Sequence, residues 1–564
     1  MILLRLFSAS ALLLVTLALA CSGSEDGPTA KAPPGLGDEL RLALDSEPST
    51  LDPQLALLTP DLSVLRQVFR GLFWYDENMN LVPMIARELP STKNSGLSDD
   101  GLVYRIKLRD DVKWSDGLPV SAADFEFALK RLLDPTLQAP AAANYFDITG
   151  AEAYGTCFDC AEEELAALRD DVGIRAEDAA TLVITLRVPR STFPHLLASV
   201  VASPARRDAI EANPSTWMDP ENLISVGPFV IQSWVRGQSI VLEPNPFWWG
   251  EGLELKRVTI KIIPDPVEAY NAYLAGELEA VVVPPELEAT VSSDPNLSPE
   301  SLELTSFASI IYFLDNAAPP FDDPAVRRAV SLAIDREAFI LDTNAPAIPG
   351  YNLLPPEMPG HQAELGKQWR FDPAKAREVL AAAGYASPAD VPAVEYAYAE
   401  GNARAEAAAR FLKEQLATNL GVSVNLQPIS LDEWRERLFG GQLQVILIGV
   451  SAEYGDAEAL LRDLWTCQNY EGTTCTAFAG ANFSHYSNPD FDRLMQQAAK
   501  ESDTRRRLAL YGDAEELLVD DAAGIFVGYE TRLLLVKGYV GGVTTLPIDW
   551  LPSELLLDRV YINR

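Results

Sequence analysis

The chain has 564 residues, 48% hydrophobic and 22% charged, an ordinary balance for a globular protein and too long for a single core, so about two or three domains are expected. Its 81 Asp and Glu against 45 Lys and Arg leave a net charge of -36. Such a surface repels phosphate backbones and anionic lipid, which argues against nucleic-acid and membrane-surface binding.

In chain order, one early cation, Arg5, precedes an apolar run from Leu6 to Ala20. That run is short for a bilayer span and fits an export signal over residues 1–20. Small Ala20 stands just before Cys21, where the run meets the polar tail SGSEDGPTAKAPPG. This is the pattern of a lipoprotein signal, with lipid on the Cys21 thiol and residues 21–36 as a flexible tether. The alternative is an ordinary secretory signal with a chance cysteine. No later segment is long and apolar enough to cross a membrane.

ELRLAL (39–44) alternates as a strand does, and Asp52-Pro53 fixes a turn after it. LVYRIKLRDDVKW (102–114) reads as a strand, with Asp116-Gly117 as a tight hairpin turn and Trp114 as a packing residue. In SAADFEFALKRLLD, Ser121 is a helix N-cap and Asp124 closes a capping box, with Phe125, Ala128, Leu129 and Leu132 on one face. TLVITLRV (181–188) and RVTIKIIP (257–264) are further strands. Asp323-Pro324 and Asp372-Pro373 each start a helix, and Gly384 suits the end of the second. This mixing predicts α/β domains. Beyond Cys21 the cysteines are Cys157, Cys160, Cys467 and Cys475. An exported chain with an even count suits two local disulfides. CFDC also admits a redox pair or half a zinc site, but a zinc site needs four ligands and no second Cys pair is near in sequence. LQVILIGV (443–450) reads as a buried strand, followed by SAEYGD with the carboxylate of Glu453. A carboxylate in a dry place costs several kcal/mol unless it meets a cation or several donors.

Six blocks stand out: EPSTLDPQLA (47–56), VFRGLFWYDENMNLVPMIARELPST (68–92), SDDGLVYRIKLRDDVKWSDGLPVSAADFEFALKRLLDP (98–135), SVGPFVIQSWVRGQSIVLEPNPFWWG (225–250), FDDPAVRRAVSLAIDRE (321–337) and FSHYSNPDFDRLM (483–495). In this order they resemble family 5 of the extracellular solute-binding proteins, the peptide-binding components of ABC importers. Most of the motif residues are architectural, and the aromatics of NPFWWG are expected to seal a domain surface. The resemblance implies an α/β, two-lobed, periplasmic-binding-protein-like clamp. Lobe I would comprise 37–74, 181–305 and 530–564, with a subdomain inserted at 75–180, and lobe II would comprise 306–529.

In peptide-binding members an A-D-Y segment after a buried strand supplies an Asp that meets the ligand's α-ammonium. Here that place reads Ala452-Glu453-Tyr454, so the resemblance implies Glu453 as the amine's counter-ion. It further implies ligand contacts at Trp434, Tyr145, Tyr454 and Tyr529. Leu57 and Thr59 would line the cleft after the L-D-P turn, and Gly449 and Ser451 would lie on a strand that pairs with an extended peptide. Some members carry an Arg ahead of A-x-Y for a peptide carboxylate; Leu447 stands about there, which predicts loose length selection. The implied partners are a short peptide and membrane permease subunits, with the membrane touched only through the lipid. The protein would be monomeric, exported and anchored at a periplasmic or cell surface. Other uses of the scaffold are a sensor, a chaperone-like binder, or a receptor for nickel, haem or sugar. Scarce histidine, three residues in all, weakens metal and haem, and no metal or other cofactor is expected.

Nothing points to catalysis. GVSAEYG departs from G-x-S-x-G, since Glu453 stands where the second Gly is required. No phosphate-binding loop or H-E-x-x-H is present, and His195, His361 and His485 are isolated in sequence.

Overall fold

The computed structural model describes residues 30–33, 35–385, 387–471, 474–478, 481–548 and 555–564. The expected signal peptide and Cys21 lie outside them. One four-stranded sheet places Glu39–Leu44 parallel to Arg257–Ile262, followed by the antiparallel strands Ser239–Pro244 and Phe229–Val235. Buried Leu40, Leu42, Val258, Ile260, Ile240 and Leu242 alternate along these strands and supply the core beneath them.

A five-stranded sheet is built on two long antiparallel strands, Ser301–Leu314 and Gly524–Val536. Residues 301–305 pair with 531–535, next to Ala280–Val282; residues 309–313 pair with 524–529, flanked by Val445–Ser451 and Ala347–Pro349. Between these halves the pairing breaks: Thr305 faces Thr531, but Ser309 faces Tyr529. The first strand thus carries two more residues than the second across the break, one more than an ordinary bulge inserts. Beyond the break a parallel pair, Val394–Ala399 and Val424–Ile429, is joined by helix Ala403–Leu420. Phe339, Phe411, Tyr312 and Tyr396 are buried together there.

A three-stranded antiparallel sheet joins Val103–Lys107, Thr181–Thr185 and Ile174–Asp178. Thr181–Thr185, expected to open the second piece of lobe I, is the centre of this smaller sheet, paired on one side with Val103–Lys107 and on the other with Ile174–Asp178. The strand expected over 102–114 is also shorter. After Lys107 the chain leaves the ladder, with Leu108 N–H bonded to Ala180 O at 2.8 Å and Arg109 N–H to Ile85 O at 2.9 Å. The turn at Asp116-Gly117 forms with Gly117 at φ +88, but a single bridge, Lys113 to Pro119, replaces a hairpin ladder. Trp114 is fully buried. Phe247 lies across Gly117, where a Cβ would meet its ring at 2.9 Å, and Arg70 and Arg109 sit over Trp74 and Trp249, each at 4.8 Å. Phe247 of NPFWWG thus covers the 116–117 turn.

The caps fall where the side chains dictate. Asp124 accepts from Ser121 N–H at 2.8 Å, Asp323 from Ala325 N–H at 2.8 Å and Asp372 from Lys375 N–H at 3.0 Å. Gly384 takes φ +98 just past its helix. Cys157 is bonded to Cys160, and Cys467 to Cys475 across a hairpin. The first pair's sulfurs are therefore not free to hold a metal with neighbouring Glu164. Residues 30–33, 35 and 36, read as the end of a tether, are tied down instead. Ala30 N–H bonds Gly538 O at 2.9 Å, Ala32 N–H bonds Asn563 O at 2.8 Å, and Ala32 and Leu36 pack on the core. Their partners are backbone groups far along the chain, which composition cannot show. No described helix is long and apolar enough to cross a membrane.

Candidate functional site

Strand Val445–Ser451 is an edge strand, paired on one side with residues 308–314. Its end opens on a cavity of about 320 Å3 around which Leu57, Thr59, Tyr145, Ser451, Glu453 and Tyr454 come together. Asp52 sets the approach of the Leu57–Thr59 stretch. Its carboxylate caps the turn through Gln54 N–H at 3.0 Å and takes Arg131 in a two-pronged pair at 2.8 and 2.5 Å. Thr59 then opens helix Thr59–Val68, with Pro60 in its first turn.

Glu453 remains open to solvent while protein encloses it on its other sides. Its Oε2 accepts a hydrogen bond from Asn144 Nδ2 at 3.2 Å. Burial raises its pKa, the negative charge of Asp463 adds to this, and Arg190 offsets it in part. Among the described residues no Lys or Arg forms an ion pair with it. Behind it, Tyr454 is buried and donates to Glu458 Oε2 at 2.7 Å. Glu458 is also reached by Arg190 and Arg462, each at 3.4 Å, and by the hydroxyl of Thr192. Arg190 and Arg462 both continue to Asp147, at 3.2 and 3.3 Å. Burial alone would push Glu458 up, but the two cations and the hydroxyl donors outweigh it and hold its pKa at about 2.

Residues that sequence reasoning did not single out complete the wall. Asn144, not Tyr145, touches the carboxylate; Tyr145 is buried and donates to Leu196 O at 2.9 Å. Its place one residue before the expected Tyr was the available signal. His195 lines the cavity with Nδ1 at 2.9 Å from the Tyr75 hydroxyl, and burial lowers its pKa, which favours the neutral ring. Arg66 lines it too, its pKa brought down to about 10 by burial.

Three expected contacts lie elsewhere. Trp434, on helix Leu431–Phe439, packs half-buried on the core. Tyr529 is buried, its hydroxyl bonded to Asn352 and its ring 6.1 Å from that of His361. Gly449 lies farther along the strand, where the Glu530 carboxylate occupies the space a Cβ would need, 2.5 Å from that position.

The sequence matches the model for bacterial extracellular solute-binding proteins, family 5, over residues 80–472. The chain belongs to that family. Family 5 is made up of solute-binding proteins. Among its relatives, the periplasmic oligopeptide-binding protein OppA of Escherichia coli is 29% identical over 515 residues, 88% of each chain. An unliganded open form of the periplasmic murein tripeptide-binding protein MppA superimposes with a TM-score of 0.80 at 26% identity, covering 95% of this chain and 99% of that one. Another structure of MppA, from Escherichia coli, gives 0.68 at the same identity over 93% and 98%. These family 5 proteins are two-lobed, and this chain shares their α/β clamp.

Proposed function

We propose that this protein is the substrate-binding lipoprotein of an ABC importer, capturing short peptides by their amino end in a closing cleft and delivering them to membrane permease subunits. The observation that carries the reading is Glu453: a carboxylate without a cationic partner among the described residues, facing a cavity at the end of an edge strand. An ammonium there would form a charge-assisted hydrogen bond, stronger once water is excluded. The named relatives' peptide ligands support the same class. The match to an open, unliganded MppA is consistent with a cleft awaiting closure.

In this reading lobe I comprises 37–74, 186–305 and 530–564, the inserted subdomain 75–185 and lobe II 306–529. The pairing break at Thr305/Ser309 would let the lobes bend about the two long strands. Closure brings Leu57 and Thr59 against the ligand lying on Val445–Ser451. Leu447 offers no cation, so the far end of the peptide is not fixed by charge. Cys21 would carry the lipid that keeps the protein at the membrane.

Mass spectrometry of ligand released from the purified protein tests the reading. Short peptides of mixed length with free amino ends are expected. A single non-peptide species, or peptides blocked at the amino end, would overturn it.

A further inference from the structure

A second cavity, of about 230 Å3, lies at the carboxyl ends of three neighbouring strands, Glu39–Leu44, Arg257–Ile262 and Ala280–Val282. Ligand sites in α/β sheets favour this edge, because the chain turns away there and leaves a crevice. Leu44, Ile263, Val281 and Val283 make its walls apolar. Pro266, Pro284 and Pro285 also line it, and their fixed φ stiffens the wall against collapse into the gap. Asp45 is the sole charged lining residue, which disfavours an acidic occupant.

The cavity neighbours the Glu453 site, since Thr59 lines both. Just before Thr59, Leu57 and Leu58 are 62% and 52% exposed. Large apolar side chains held in water beside a cavity are what a ligand groove leaves uncovered.

We propose that this cavity is an apolar subsite of the cleft, taking an aliphatic or aromatic side chain a few residues after the ligand's amino end. It rests on the amine reading above and narrows it: the preferred cargo is a short peptide with a free amino end and an apolar residue at one of positions two to four. An extended chain advances about 3.3 Å per residue, so these positions reach roughly 10 Å from the ammonium.

The test uses alanine tetrapeptides carrying one Leu, Phe or Asp at position two, three or four, titrated by calorimetry. Ala269→Phe fills the cavity from helix Pro266–Leu274; Val282→Asp places an anion on its wall, and circular dichroism checks that each variant is folded. At one position Leu or Phe is expected to bind about tenfold tighter than Asp, a preference that falls to within about threefold in either folded variant. Equal affinities at all three positions in the unaltered protein would overturn the subsite, whatever the variants do. So would a preference that survives in a folded variant. If amino-terminal acetylation still weakens binding in those cases, the amine reading stands and the subsite alone is lost. If acetylation has no effect either, both are lost.

Discussion

Glu453 and Glu458 lie five residues apart, yet their surroundings drive their pKa values in opposite directions. Glu458 is buried, and Arg190 and Arg462 hold it at about 2. Glu453 is partly solvated with Asn144 as its hydrogen-bond donor, and its pKa rises. Glu515 completes the series. It is fully buried, accepts only neutral donors, among them the backbone N–H groups of Leu353 and Leu354 at 2.9 and 2.8 Å, and burial pushes it up to about 8. Burial alone does not set the charge state; the cation that comes with it does. Glu458 brings its cations within the fold, whereas no Lys or Arg among the described residues forms an ion pair with Glu453.

The largest effect is expected from Glu458→Ala. It leaves Arg190 buried with Asp147 as its remaining carboxylate, which should cost about 3–5 kcal/mol in chemical denaturation. The same pair gives an acid limb. Because the folded pKa of Glu458 lies near 2, its stabilisation is complete above the ordinary carboxylate range and is lost as pH falls from about 4.5 toward 2, a change of order 3 kcal/mol. Glu515 has the opposite sign. Between about 4.5 and 8 only the unfolded chain ionises at this position, so its contribution falls as pH rises through that window. Glu515→Gln should therefore flatten the decline between about pH 4.5 and 8 and raise stability at pH 8 by about 2 kcal/mol or more, read from denaturation curves across pH. Gly449→Ala should cost under about 1 kcal/mol, because the end of the flexible Glu530 side chain can move away from a new methyl. A larger loss would mean that Glu530 is fixed where it lies.

Much of the fold was legible because its signals are local. The caps at Asp124, Asp323 and Asp372 need only their own helix, and the alternation of ELRLAL needs only its own sheet. What was not legible depends on distant partners. Asn144 meets Glu453 across 309 residues of sequence, and no spacing reports that. Ala30 and Ala32 looked like tether until residues 538 and 563 folded beside them. Tyr529, expected at the ligand, has its hydroxyl bonded to Asn352, 177 residues earlier in the chain. Thr181–Thr185 was recognisable as a strand, while the sheet that claims it was not. The six residues gathered around the cavity come from two stretches that the family resemblance marks, after L-D-P and at A-E-Y, together with Tyr145.

The most direct measurement is a four-way calorimetric cycle: a free and an amino-terminally acetylated tripeptide, each titrated into the unaltered protein and into Glu453→Gln. Acetylation should weaken binding to the unaltered protein roughly tenfold to a hundredfold and make little difference to the variant. Equal affinity of the unaltered protein for both peptides would contradict Glu453 as the counter-ion of the incoming amine.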